Sequence, residues 1–120
     1  MEPDLKKIFI VGINDFMGNI REETVFKNYQ QIVTNLTNKN IQVYVISTII
    51  SGERLMDINP LIIELNNHMR AFCYENGIAY LDVNTNVSKN GLLNSDYSFD
   101  DVHLNGEGLI IFKRIIAQYL

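Results

Sequence analysis

Asp100 and His103 stand three positions apart in the segment DDVHLN, and a carboxylate that close to an imidazole is a combination suited to moving protons. Imidazole titrates near neutral pH, so His103 can take a proton from a hydroxyl and return it to a leaving group. On a turn, the Asp100 carboxylate can reach the ring Nδ1–H and leave Nε2 free to face a nucleophile. Asp101, two positions from the histidine, can hold the ring in the same way, and spacing alone does not separate the two. A second segment, GIND, brings an apolar run to a turn at Gly12. It sets Asn14 where its side-chain amide can donate to a developing oxyanion. Asn14 and Asp15 are also ordinary turn and N-cap residues, so neither segment alone assigns a reaction.

These residues must be positioned by elements whose apolar periodicity changes in a regular order. Lys7 to Ile13, KIFIVGI, is a continuous apolar run with β-branched residues and reads as a buried parallel strand. From about Glu22 to Asn38, Val25, Tyr29, Ile32, Val33 and Leu36 recur at helical spacing. IQVYVISTII, Ile41 to Ile50, repeats the buried-strand pattern and leads into the loop SGERLMDIN. Pro60 opens a second helix, at a position where its missing N–H costs nothing. Ile62, Leu65, Met69, Phe72 and Cys73 form the inward stripe of that helix, and Gly77 ends it. IAYLDV, Ile78 to Val83, is a third strand, and the Asn-, Ser- and Asp-rich stretch from Asn84 to Asp101 reads as irregular. Asn105 then caps a last helix carrying Leu109, Phe112, Ile116 and Leu120 on one side. Strands alternating with helices predict one α/β domain over residues 1–120, with a parallel sheet and helices on its faces. Ligands bind outside the carboxyl ends of parallel strands, so GINDFMGN, SGERLMDIN and the stretch ending in DDVHLN are expected to converge.

Composition removes several classes of function. The chain of 120 residues carries a net charge of −4 and is 47% hydrophobic and 20% charged, the balance of an ordinary globular domain. Ten dispersed Lys and Arg residues supply no basic face for nucleic acid. The apolar run from Ile8 to Ile13 is far short of the ~20 residues that span a bilayer, so no membrane is expected and the default compartment is the cytoplasm. Cys73 falls within an amphipathic stripe and reads as a small buried hydrophobe, and His68 as a solvated surface residue. No zinc-ligand spacing and no glycine-rich phosphate loop is present, so neither metal nor cofactor is expected.

Together, VGIND at a strand end, NYQQIV on the following helix, LIIELNNHMRAFCYENGIAYLDV and DDVHLNGEG resemble the SGNH/GDSL hydrolases, in the right order along the whole chain. The resemblance implies a three-layer α/β/α, flavodoxin-like fold truncated to about three strands. It also implies ester hydrolysis of small-molecule, carbohydrate or lipid acyl or acetyl esters. The family's Gly-x-Asn-Asp block falls on Gly12, Asn14 and Asp15, with Gly12 and Asn14 at the oxyanion hole. Its Asp-x-x-His block falls on Asp100 and His103 as triad acid and base, which favours Asp100 over Asp101.

The family's Gly-Asp-Ser block, which carries the nucleophile, has no counterpart here, so the chain is expected to correspond to the C-terminal two thirds of such a domain and to be inactive alone. Ser51 lies in the loop after the second strand without the sharp turn that exposes a nucleophile, and reads as a loop hydrogen-bonding residue. Ser47 is expected in a strand interior, and Ser88, Ser95 and Ser98 in the long irregular stretch. Two outcomes are compatible with this: a Ser-bearing segment supplied from elsewhere, or a non-catalytic module. In the second case the first strand would offer an open apolar edge, which predicts a homo-oligomer built across it.

Overall fold

The computed structural model describes residues 6–11 and 21–120. Its centre is a parallel sheet of three strands, β1 (Lys7–Val11), β2 (Gln42–Ile46) and β3 (Ala79–Leu81), in the order β1-β2-β3. Lys7 pairs with Gln42, Phe9 with Tyr44, and Tyr44 in turn with Ala79. The chain returns from one strand to the next through α1 (Glu22–Asn38) and α2 (Asn59–Glu75). The α/β architecture with a parallel three-stranded sheet is therefore the one the periodicity predicts.

Alternation along the strands sorts the core into two layers. Val43 and Val45 point to one face, where Val25 and Val33 of α1 and Ile62, Leu65, Met69 and Cys73 of α2 close over them. Ile46 and Leu81 point to the other, where Phe112, Ile115 and Ile116 of α4 (Gly106–Ala117) pack on them. On that second face the Phe9 and Tyr44 rings of paired residues stack with centroids 4.8 Å apart. Among the described residues β1 has one strand neighbour, and none of its five residues is fully buried, whereas four of the five in β2 are.

Several expectations need correction. The second strand stops at Ile46: the Ser47 N–H still donates to the Leu81 carbonyl, but Thr48, Ile50 and Ser51 bond to asparagine side chains instead, so Ser47 lies just past the strand rather than inside it. The third strand is shorter than the run Ile78 to Val83, with paired residues only at Ala79–Leu81. Ile32 is exposed, and so are Leu109 and Leu120; Ile115 takes the inward place on α4. The stretch after β3 is not irregular throughout. It holds a single helical turn α3 (Asn84–Val87) and an antiparallel hairpin of β4 (Ser88–Lys89) and β5 (Leu92–Leu93). The hairpin turns at Asn90 and Gly91, whose φ values of 56° and 78° are those a two-residue primed turn requires. Asn105 caps α4 as expected, accepting from the Gly108 N–H at 3.0 Å. No described helix is long and apolar enough to cross a membrane.

Candidate active site

The Asp100–His103 segment is the tip of a loop closed at its base. Ser98 and Leu104 form a β-bridge, and the Asn105 N–H donates to the Tyr97 carbonyl at 2.8 Å. Within the tip, one carboxylate does two jobs. Asp100 Oδ1 accepts from the backbone N–H groups of His103 and Val102 at 2.7 and 2.9 Å, folding the turn. Asp100 Oδ2 lies 2.6 Å from His103 Nδ1. The three-residue spacing thus has a local cause: the same side chain that shapes the turn meets the imidazole that the turn delivers.

Those bonds hold the Asp100 carboxyl at about 2, below its ordinary 3.8, with the His103 backbone N–H as the largest cause and the imidazole next. A carboxylate fixed on Nδ1 leaves Nε2 directed away from it, on a ring whose side chain is 71% exposed. Phe99, itself exposed, lies nearly parallel to this ring, with centroids 6.1 Å apart.

The other aspartate is engaged elsewhere. Asp101 takes φ 68°, and its Oδ2 accepts from the Arg54 N–H at 3.2 Å. Its carbonyl accepts from the Gly52 N–H at 2.8 Å, and Arg54 Nη2 donates to the Asp100 carbonyl at 2.7 Å. These contacts dock the turn against the segment that leaves the carboxyl end of β2, which puts His103 at the edge where parallel sheets bind ligands. Gly52 is required sterically: a Cβ there would fall 2.5 Å from Asp101 Oδ1.

Three asparagines that the sequence reading did not single out hold the β2 exit. Asn59 Oδ1 accepts from the Ser51 N–H at 2.7 Å and its Nδ2 donates to the Ser51 carbonyl at 2.9 Å. Asn66 makes the same pair of bonds to Thr48, at 2.9 and 2.8 Å. Asn84 bonds the Ile50 N–H and the Thr48 carbonyl. The available signal was that positions 59 and 66 fall on the same helical stripe as Ile62, Leu65, Met69 and Cys73, where a polar side chain must find partners.

Gly12, Asn14 and Asp15 lie outside the described residues. Ser51 is fully buried, and Ser47 is buried with its Oγ accepting from the Val83 N–H at 3.0 Å. Ser98 Oγ accepts from the Asp100 N–H at 3.4 Å. Among the described residues no serine hydroxyl is hydrogen-bonded to His103. Burial pushes the Cys73 thiol up to about 11, so it is not a nucleophile at neutral pH. Metal-type donors meet elsewhere, at Glu22, Glu64 and His68. His68 is therefore not simply solvated: its Nδ1 lies 2.7 Å from Oε1 of the buried Glu22.

Residues 2–109 match the GDSL-like lipase/acylhydrolase family. Over 97 residues the chain is 30% identical to the N-acylneuraminate cytidylyltransferase of Streptococcus agalactiae serotype V, a match covering 81% of this chain and 24% of that protein. A GDSL-like lipase from Bacteroides thetaiotaomicron superposes with a TM-score of 0.84 at 27% identity, covering 98% of this chain and 62% of that one. A candidate acylhydrolase from Bacteroides fragilis gives 0.85 at 22% identity, covering 94% and 60%. The chain thus spans about a quarter of the streptococcal relative and about three fifths of the two solved structures.

Proposed function

Since this chain belongs to the GDSL-like lipase/acylhydrolase family, we propose that it carries the acid–base half of a serine ester hydrolase acting on acyl or acetyl esters of small molecules, carbohydrates or lipids. The observation that carries the reading is the 2.6 Å contact of His103 Nδ1 with Asp100. In this scheme His103 Nε2 takes the proton of a serine hydroxyl as its oxygen attacks the ester carbonyl. Asn14 and the Gly12 N–H donate to the oxyanion, with Asp15 supporting their turn. His103 then gives the proton to the departing alcohol; water, deprotonated by the same imidazole, attacks the acyl-serine and releases the acid as the imidazole returns that proton to the serine oxygen. Asp100 keeps the ring in the tautomer that makes both transfers possible.

The serine of this scheme comes from polypeptide outside the 120 residues, as a separate segment or as part of a longer product. The buried positions of Ser47 and Ser51 support this. Hydrolysis of p-nitrophenyl acetate and of an O-acetylated sugar is the test, run on the 120-residue chain and on the longest natural polypeptide that contains it. The longer product should be active and lose that activity in His103→Ala, while the short chain should match buffer. Robust hydrolysis by the short chain, abolished by His103→Ala, would place the nucleophile within it.

That β1 has a single strand neighbour among the described residues favours a second reading, a non-catalytic module that self-associates. Among the described residues, half-buried Ile8, Phe9 and Ile10 lie on a strand paired on one side only, and such an edge is a template for another strand. An inactive longer product combined with a stable homodimer would favour this reading over the enzyme.

A further inference from the structure

Glu22, Glu64 and His68 lie outside the Asp100–His103 turn and take no part in the reaction proposed above. Glu22 opens α1, while Glu64 and His68 are one turn apart on α2, so the trio joins the two helices that cover one face of the sheet. One ligand atom from each lies within 4.8 Å of the other two.

The Glu22 side chain is 6% exposed, and among the described residues its carboxylate makes a single hydrogen bond, Oε1 accepting from His68 Nδ1 at 2.7 Å. Among the described residues Oε2 has no partner, and no lysine or arginine lies within 4.0 Å of either Glu22 or Glu64. A buried carboxylate with one of its oxygens unbonded calls for an explanation, and an ion is one of the few available. A histidine clasp between α1 and α2 accounts for Oε1. It accounts neither for Oε2 nor for a second carboxylate drawn in beside the first, where like charges repel.

We propose that Glu22, Glu64 and His68 form a divalent-cation site that pins the start of α1 to the middle of α2. One imidazole nitrogen and two carboxylate oxygens form a donor set for a borderline ion of the zinc class rather than for calcium or magnesium, which take oxygen alone. Metal–ligand bonds of about 2.1 Å at tetrahedral angles separate ligand atoms by roughly 3.4 Å. That lies between the present 2.7 Å contact and the 4.8 Å limit of the trio. Rotation of the two exposed side chains on α2 supplies the difference. The ion neutralises the two carboxylates, coordinates Nδ1 as the neutral ring, and keeps a fourth position for water.

The test is a titration of the full 120-residue chain with Zn²⁺ by calorimetry and with Co²⁺ by visible absorption. It is run in a His103→Ala background so that the exposed imidazole of the turn does not compete. One equivalent of Co²⁺ should bind saturably with the bands of a low-coordinate site, and excess Zn²⁺ should raise the melting temperature until a chelator removes it. Glu64→Gln, at an exposed position, should keep the fold by circular dichroism and weaken binding at least about tenfold, and His68→Ala should do the same. Absence of a saturable one-to-one event, or affinity unchanged in Glu64→Gln, would overturn the site and leave the Glu22–His68 contact as a clasp between helices.

Discussion

Arg54 donates from Nη2 to the backbone carbonyl of Asp100 at 2.7 Å, across 46 residues of sequence. Together with the Gly52 N–H on the Asp101 carbonyl, it fastens the turn carrying the histidine to the chain leaving β2. The approach is so close that only glycine fits at position 52. Gly52→Ala should therefore cost about 1–3 kcal/mol, the usual range for forcing an extra methyl into a packed contact. Urea denaturation measures that loss, and displaced His103 imidazole resonances would show that the turn has moved. An unchanged midpoint with unmoved imidazole signals would mean that the Asp101 side chain yields freely.

Asp100 shapes the turn and holds the ring at once, so Asp100→Asn tests both roles. In an active assembly kcat should fall on the order of 10³–10⁴-fold, because the amide favours the wrong tautomer. Nitrogen NMR of the imidazole should show the proton leaving Nδ1 even in the short chain. A tautomer unchanged by the substitution would remove Asp100 from its proposed role.

The depressed carboxyl also fixes a pH window. Its folded value of about 2 lies below the ordinary 3.8, so its contribution to stability is fully present above about pH 4 and lost as pH falls through 2. The Asp100 carboxyl carbon should titrate by NMR with a midpoint near 2. A midpoint at or above 3.8 would show that the turn hydrogen bonds do not persist in solution.

Asn59→Ala should be among the more damaging single changes at the candidate site. It strips the buried Ser51 N–H of its partner and leaves a cavity at the start of α2, for an expected loss of about 2–3 kcal/mol. Chemical denaturation reads it directly. A loss below about 0.5 kcal/mol would mean that water replaces the amide without cost.

Cys73 is fully buried, and its thiol is raised to about 11 by loss of solvent. Ellman's reagent at pH 8 should react with it only after denaturant is added. Stoichiometric reaction in the native chain would show that α2 opens readily.

Periodicity located the elements that rest on side-chain burial. The span from Glu22 to Asn38 and the inward stripe Ile62, Leu65, Met69 and Cys73 were legible because a buried helical face repeats at fixed intervals. The end of β2 was not. VISTII reads as continuous strand, yet the main chain at Thr48, Ile50 and Ser51 is bonded by asparagine amides up to 36 residues away. The hairpin at Asn90–Gly91 carried a strong local signal that the polar surroundings obscured. At the site, the Asp100–His103 contact was readable because both residues share one turn, and the family resemblance favoured Asp100 over Asp101; what no local spacing reveals is that Asp101 is engaged by Arg54 and Gly52 of a distant loop. Glu22 and His68 meet only because α1 and α2 pack side by side, which no local spacing reveals.

The frame around the β2 exit is made of carboxamides: Asn59, Asn66 and Asn84 grip main-chain groups of Thr48, Ile50 and Ser51. Carboxamides neither gain nor lose protons across the range in which living systems operate. The bonds that shape the β2 exit therefore do not depend on acidity, so the segment from Gly52 to Arg54, on which the histidine-bearing turn is fastened, issues from a frame that keeps its form across that range.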